Sequence, residues 1–492
     1  MNSRLARFRP LIVAGVGGVF LALASPPTDF YPGVLVSYGL LALVLLSAAQ
    51  SIIWGVGMVA THLLAKRLKA PLELAFAAGV FVALSLPTIF AWSPAGLLTP
   101  WPSLVQLGDV IGERGVSALI AVAAALLGRA LLAAFGRRPG DSWPESLRFK
   151  DYGGATRPAL ASIALLVLMA AFGAARIYQV SSARARLPTI KIGLVDQAVL
   201  PLDRWNARKQ PGILRKLRSL TESAERDGAE LTIWPEAAYP YSLDHEGPQI
   251  DEGGRSIIGN GVHGPVLAGI ITQTPPDFEG ARDDYNSASV IASDGSIQPP
   301  ADKLELLWFG ETVPGSAWFP FLRKIFQKSG ALIPGTAPRA LTLAPSPAAG
   351  RPALTMAVLN CYEDTLSGVG RRVTKALSPN LLVNITNDAW FYDTAESELH
   401  ARLGAMRAVE ARHDLVRAVN LGVMTWVDAT GTVRARWAES RAQTLIVTPA
   451  IDDGSATFFV RFGDWPTLFA MAGLAAWFWR RGRTREISRP SS

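Results

Sequence analysis

The sequence predicts a multi-pass α-helical membrane bundle joined to a separate α/β domain of roughly 280 residues. Three observations carry this. Of the 492 residues, 49% are apolar and only 18% charged, below the roughly 25% charged fraction of an ordinary soluble domain. Mean hydropathy is positive, +0.23, which excludes a disordered chain. The net charge of +8 is unevenly placed: residues 1–185 hold 15 Lys or Arg against 7 Asp or Glu, residues 466–492 hold 5 against 1, and the stretch between holds 28 against 32. A nucleic-acid-binding protein would carry its basic residues on the folded domain. Here the excess belongs to the two apolar ends, so that class is excluded.

Apolar runs near 10–26, 38–65, 72–92, 115–135, 159–178 and 464–480 are about as long as the ~20 residues a bilayer crossing needs. That gives six crossings, or seven or eight if the run from Val34 to Leu64 forms two short helices. Basic residues favour cytoplasmic turns. Accordingly Arg4, Arg7 and Arg9 start inside, Lys66, Arg67 and Lys69 return there, and Arg137, Arg138, Arg148 and Lys150 return again. The fifth crossing leaves the chain outside; the sixth, with Phe469, Trp477 and Trp479, leads back to Arg480, Arg481, Arg483 and Arg485. The expected organisation is membrane helices over 1–185, an extracytoplasmic domain over 186–463, a C-terminal crossing over 464–482 and a basic cytoplasmic tail over 483–492. Residues 1–24 also fit a cleavable signal peptide ending at Ala22-Leu23-Ala24. Cleavage would alter the helix count but not the side of the domain. Gly15-Val16-Gly17-Gly18 lacks the preceding strand and the spacing of a phosphate loop, and reads as small residues packing helices in lipid.

The middle domain alternates α and β. Ile190 to Val195 has a buried-strand pattern, and Ile213, Leu214, Leu217 and Leu220 share one face of a helix near 208–226. Further strands are expected at 229–234, 266–272, 287–293, 354–360, 381–385, 415–419 and 422–428, and helices near 365–377 and 396–413. Asp428-Ala429-Thr430-Gly431 is a hairpin turn signal.

Chemistry gathers in three places: Trp234-Pro235-Glu236, Lys303 within Ala301 to Glu311, and Asn360-Cys361-Tyr362-Glu363. A carboxylate, an ammonium and a thiol brought together make an acyl-transfer site. The carboxylate takes the thiol proton, the thiolate attacks a carbonyl and the ammonium stabilises the oxyanion. The base works only if burial brings its pKa toward that of the thiol. Taken singly, Glu236 would be a surface carboxylate, Lys303 a solvated cation beside Asp302 or Glu305, and Cys361 a small buried apolar residue. The only cysteine of 492 residues, on a domain expected to face an oxidising compartment, has no intramolecular disulfide partner, so reactivity explains it better. His62, His245, His263, His400 and His413 have no metal-ligand spacing. No metal and no cofactor are expected. Trp308, Trp318, Phe319 and Phe391 are candidates for lids or interfacial anchors, or for ordinary core.

The order Trp-Pro-Glu at 234–236, then Lys303 with Phe309-Gly310-Glu311, then Asn360-Cys361-Tyr362-Glu363 resembles the nitrilase (carbon-nitrogen hydrolase) superfamily. With helices before and after it, the chain looks like the apolipoprotein N-acyltransferases. Tyr285-Asn286-Ser287, Asn387 to Phe391, His400 with Arg407 to Glu410, Arg417 to Asn420 and Phe462 to Trp465 are further matches. The resemblance implies a nitrilase-like αββα sandwich resting on a membrane bundle in the bacterial cytoplasmic membrane, facing the periplasm. It implies a ping-pong reaction: Cys361 takes an acyl chain from a phospholipid and passes it to the α-amino group of a diacylated apolipoprotein. Glu236 carries over as general base, Lys303 as oxyanion stabiliser and Cys361 as nucleophile. Asn286, Glu311, Tyr362 and Glu363 carry over as supporting residues, and Trp205 as a substrate-gating tryptophan. Two membrane helices of the family's usual eight are missing near 26–40, and Trp308, Tyr392 and Leu421 depart from its pattern. A membrane-anchored amidase and a non-catalytic lipid- or lipoprotein-binding paralogue stand as alternatives.

Overall fold

Long apolar runs fold as helices in the computed structural model, which describes residues 39–88, 91–134, 154–250, 253–276, 282–316, 318–319, 321–325, 330–392, 394–439 and 441–487. The expected crossing at 10–26, with Arg4, Arg7, Arg9, the Gly15–Gly18 stretch and the Ala22–Ala24 site, lies outside the described residues, as do Arg137, Arg138, Arg148 and Lys150. The chain divides into two units, residues 1–176 with 462–492, and residues 177–461.

In the first unit, α1 (Gly39–Arg67) is one 29-residue helix where two short ones were an alternative. Next, α2 (Leu72–Ser85) has only 14 residues, about 21 Å of helix, instead of the run to 92. Its end is set by Pro87, which disfavours helical backbone at the residue before it. Leu86 is accordingly extended. Then α3 (Gly108–Ala134) begins before the expected 115 because Gly112, at φ 68 and ψ 175, kinks it and separates a polar first turn from the apolar run. Last, α4 (Thr156–Arg184) has 29 residues. Among the described residues, α3 and α4 are long and apolar enough to cross a membrane. Charges on these elements are paired, Glu73 with Arg129 at 2.5 Å and Asp109 with Arg176 at 2.7 Å, as a costly burial in apolar surroundings requires. A C-terminal helix spans Trp465–Ile487, so the first residues of the expected tail are helical.

The second unit runs β1 (Ile192–Asp196), α5 (Gln210–Arg226), β2 (Leu231–Ile233), β3 (Ser242–Asp244), β4 (Val266–Gln273), β5 (Asp284–Ile291), β6 (Ala301–Asp302), β7 (Ala340–Leu343), β8 (Leu354–Asn360), α6 (Ser367–Leu377), β9 (Leu381–Asn387), α7 (Glu396–Ala411), β10 (Leu415–Asn420), β11 (Met424–Val427), β12 (Val433–Trp437) and β13 (Gln443–Val447). One sheet has the order β13-β1-β2-β4-β5-β6 with β3 beside β4; the other is β12-β11-β10-β9-β8-β7. Each has a parallel centre, β1-β2-β4 and β10-β9-β8. Parallel strands are covered on both faces and so read as unbroken apolar runs.

Ile192, Leu194, Leu231, Ile233 and Leu267 of the first sheet meet Met356, Leu381, Val383, Ile385 and Val416 of the second in one core. Each such side chain contributes about 2 kcal/mol relative to exposure. On the outer face of the first sheet, Ile213, Leu214 and Leu217 of α5 pack on Val195, Trp234 and Val266. On the outer face of the second, Val369 and Val373 of α6 and Ala405 and Ala408 of α7 cover Ala357, Leu359 and Leu382. The layers are therefore helix, sheet, sheet, helix, the αββα sandwich expected.

Candidate active site

The carboxyl ends of parallel strands are where α/β sheets place their ligands, and the three expected residues converge there. Glu236 follows β2, Lys303 follows β6 and Cys361 follows β8. Glu236 can lie so close to β4 only because Gly269 has no side chain. A Cβ there would come within 2.2 Å of the Pro235 carbonyl oxygen and 2.8 Å of Glu236 Cα. Lys303 is placed by its amide, which donates to the Asn286 carbonyl at 2.8 Å.

The Lys303 ammonium is 1% exposed and sits between two carboxylates, 3.3 Å from Glu236 Oε1 and 2.8 Å from Glu311 Oε1. Burial by itself would lower its pKa, but Glu311 and Glu236 outweigh that and hold it well above the ordinary lysine value. Asn286 Nδ2 donates to both carboxylates, at 2.7 Å to Glu236 and 3.1 Å to Glu311. The Asn387 amide donates to Glu236 Oε2 at 2.9 Å, and the Leu307 amide to Glu311 Oε2 at 2.9 Å. Both carboxylates are thus fixed by donors that leave Lys303 shared between them.

Cys361 is partly exposed and opens a 3₁₀ turn, Cys361–Thr365, with φ at +56°. A non-glycine residue in that region costs about 1 kcal/mol or more, and such strain clusters at functional sites. Burial of the thiol pushes its pKa well above the ordinary value, the Glu236 and Glu311 charges push the same way, and Lys303 and a hydrogen bond with Thr386 oppose them. The thiol is held neutral. Lys303 also lies 5.4 Å from the centroid of the Tyr362 ring, a cation–π distance.

Glu363 ties these parts together. Its Oε2 accepts from the Asn360 amide at 2.8 Å, and its Oε1 from the Leu304 and Glu305 amides at 2.6 and 2.9 Å. One carboxylate therefore binds the nucleophile's turn to the segment just after Lys303. Burial raises its pKa to about 7.

Residues 195–454 match the family described as Carbon-nitrogen hydrolase. The chain belongs to the carbon-nitrogen hydrolase family. Among its relatives, the apolipoprotein N-acyltransferase of Geobacter metallireducens is 27% identical over 423 residues, covering 82% of this chain and 75% of that one. That of Bradyrhizobium diazoefficiens is 29% identical over 468 residues, covering 88% and 78%. That of Brucella melitensis is 29% identical over 377 residues, covering 73% and 64%. Among solved structures, an amidase from Nesterenkonia sp. is 19% identical with a TM-score of 0.37, covering 55% of this chain and 93% of that one.

In this carbon-nitrogen hydrolase domain, Asn286, Glu311, Tyr362 and Glu363 all stand around Lys303 and Cys361. Trp205 does not bond to them. It is 63% exposed at the end of the short Pro201–Arg204 helix, with the Arg204 guanidinium 4.4 Å over its ring. Arg204 in turn donates to the carbonyls of Ala237 and Tyr239, directly after Glu236. Trp308, Trp318 and Phe319 are exposed at 41%, 82% and 55%, so they are not core. Leu421, at φ +52°, donates its amide to the buried Asp196 at 3.0 Å. Sequence reading missed Asn384 and Thr386. Their signal was two polar positions in the otherwise apolar run Leu381 to Thr386, and buried polar groups are the informative ones.

Proposed function

We propose that the protein is an apolipoprotein N-acyltransferase, moving a fatty acyl chain from a phospholipid to the α-amino group of an N-terminal S-diacylglyceryl-cysteine on a lipoprotein. One observation carries the reading: Glu236, Lys303 and a partly exposed, strained Cys361 meet at strand ends of a carbon-nitrogen hydrolase domain, in a chain with membrane-length apolar helices. The relatives named above support it.

In the first half-reaction the neutral Cys361 thiol loses its proton to Glu236 as Sγ attacks the phospholipid ester carbonyl. The Lys303 ammonium stabilises the oxyanion that forms. Collapse breaks the ester bond, Glu236 returns the proton to the leaving alkoxide, and lysophospholipid departs from the Cys361 thioester. In the second, the lipoprotein amine attacks the thioester carbonyl, an amide forms, and the amine's proton passes by way of Glu236 to the thiolate. Glu311 and Asn286 keep Lys303 and Glu236 in place through both steps.

The same reading assigns residues 1–185 and 464–482 to a multi-pass bundle in the bacterial cytoplasmic membrane, and 186–463 to a catalytic domain on its outer face. Support comes from the basic residues flanking the apolar runs. Lipid substrates favour this placement, since each acyl CH₂ drawn out of the bilayer costs about 0.8 kcal/mol. Exposed Trp205, Trp308, Trp318 and Phe319 fit an acyl-chain entrance.

The test supplies phospholipid and a diacylated lipopeptide to the purified full chain. Triacylated peptide and lysophospholipid are expected, and mass spectrometry without lipopeptide should find an acyl thioester on Cys361. The reading fails if neither product forms or if Cys361→Ser retains activity. A reporter fused after Ala185 that reads cytoplasmic would overturn the orientation.

A further inference from the structure

A second buried cluster lies beneath the nucleophile and belongs to no step above. It starts from Asn384, in the middle of β9, whose amide Nδ2 donates to the carbonyls of Leu359 at 3.0 Å and Cys361 at 2.8 Å. Both amide hydrogens are thereby used to hold the chain at the bend where β8 ends and Cys361 turns to positive φ. Asn384 Oδ1 accepts from Arg417 Nη1 at 2.8 Å.

Arg417, 1% exposed, extends the hold. Its Nη1 also reaches Asp364 Oδ2 at 2.8 Å, and its Nη2 reaches Asp388 Oδ2 at 3.1 Å. Asp364 is the fourth residue of the turn that Cys361 opens, so one guanidinium grips that turn directly and, through Asn384, the strand end before it. His400 closes the ring, with Nε2 2.9 Å from Asp364 Oδ1 and Nδ1 3.2 Å from Asp388 Oδ1. Ser397 Oγ donates to Asp388 Oδ2 at 2.5 Å. Gly404 of α7 makes room: a Cβ there would meet Asp364 Oδ2 at 2.4 Å. Asp388, Glu396 and His400 bring ligand atoms within 4.8 Å of one another, but Arg417 already occupies the cation's place on Asp388.

We infer that Arg417, acting through Asn384 and braced by Asp364, Asp388 and His400, is a positioning residue that holds the Cys361 backbone in its attack geometry without touching substrate. The inference rests on the reading of Cys361 as nucleophile. Displacement of a reacting group by about 1 Å can cost on the order of 100-fold in rate, and loss confined to kcat marks an interaction used only in the transition state.

Asn384→Asp is the sharpest variant. It keeps the shape and a partner for Arg417 but removes the two donors to the Leu359 and Cys361 carbonyls. With the full chain in detergent, phospholipid and diacylated lipopeptide, kcat should fall about 100-fold while KM stays within about twofold. Formation of the Cys361 thioester without acceptor should slow by the same factor. Wild-type kcat in a folded variant overturns the inference, and so does a rise in KM alone. Should Asn384→Asp fail to fold by circular dichroism, Arg417→Lys, which keeps the charge but cannot span three acceptors, takes its place, with about a tenfold loss in kcat expected and none overturning it. Alkylation of Cys361 by iodoacetamide separates this from the functional reading. If wild type transfers no acyl group yet the variant alkylates about tenfold more slowly, the positioning stands and the proposed reaction falls; equal alkylation rates in that case overturn the positioning.

Discussion

Two buried charge clusters sit within the αββα domain, and their charge balance differs. Around Lys303, one cation faces two carboxylates, Glu236 and Glu311, with a neutral thiol beside them. Around Arg417, the carboxylates of Asp364 and Asp388 face two cations, because they overcome the opposing effects of burial and Arg417 and raise the His400 pKa to about 10, while burial raises the third carboxylate, Glu396, to about 7 and holds it toward its neutral form. The second cluster is compensated within itself, as a buried network must be to be stable. The first carries an excess negative charge next to a thiol that the same charge and burial keep protonated. An imbalance of that kind costs stability and supplies a proton acceptor, whereas a balanced cluster supplies rigidity. On the proposed reading the chain uses the first for chemistry and the second as its footing.

The largest expected effect is on the unbalanced cluster. Glu236→Gln keeps oxygen and amide where the carboxylate was, so the bond from Asn286 survives, but the base is gone. Acyl transfer should drop by about 1,000-fold, with a stability loss of only about 1–2 kcal/mol, because the new N–H faces the Asn387 amide. Lipid-product formation measured beside circular-dichroism melting checks this. Retention of a tenth of the activity would remove the difference between the clusters.

Next come the two glycines that let backbone and side chains approach. Gly269→Ala drives a Cβ into Pro235 and Glu236 backbone, while Gly404→Ala drives one into the end of the Asp364 side chain. Backbone yields less than a carboxylate does. We expect Gly269→Ala to destabilise by about 3 kcal/mol and Gly404→Ala by about 1–2 kcal/mol, read from melting of the full chain. The reverse order would contradict the geometry.

A third, smaller effect concerns the tie between Lys303 and Cys361. Glu363→Gln leaves a single oxygen for three backbone donors and should cost about 1–2 kcal/mol of stability. It should lower kcat about tenfold with KM unchanged; a change in KM alone would mean that Glu363 serves binding instead.

How much of this was legible in the chain follows from burial. The strands at 229–234, 266–272, 354–360 and 381–385 read as apolar runs because parallel strands are covered on both faces. Ser242–Asp244 and Ala301–Asp302 are too short for any period, and Val433–Trp437, with alternate charged residues on a half-exposed edge, resembles a loop. Glu236, Lys303 and Cys361 were legible because each stands in a motif whose order survives without coordinates. Asn384 was not, because an asparagine inside a strand acquires meaning only when the carbonyls of Leu359 and Cys361 are seen to bend toward it. In the first unit the run to 92 misled because apolarity continues past Pro87 while the helix does not.

The smallest effect is a pH slope that belongs to the balanced cluster. Asp364, Asp388, Glu396 and Arg417 face His400, and their sum lifts its pKa from 6.5 to about 10. Between those values the folded chain keeps a proton that the unfolded chain has released, so stability must fall as pH rises. The contribution is complete below pH 6.5 and gone above about 10. Glu363, Asp196 and Glu396, all raised to about 7, act at lower pH, and Cys361, raised well above 9.0, acts from about pH 8.5 upward, where the unfolded thiol begins to ionise. The interval from about pH 7.5 to 8.5 is therefore dominated by His400. Melting of the full chain in detergent should show a falling midpoint across that interval, and His400→Gln should flatten it. If the variant keeps the wild-type slope, the proton is not on His400, and Arg417 alone faces Asp364 and Asp388 as Lys303 alone faces Glu236 and Glu311.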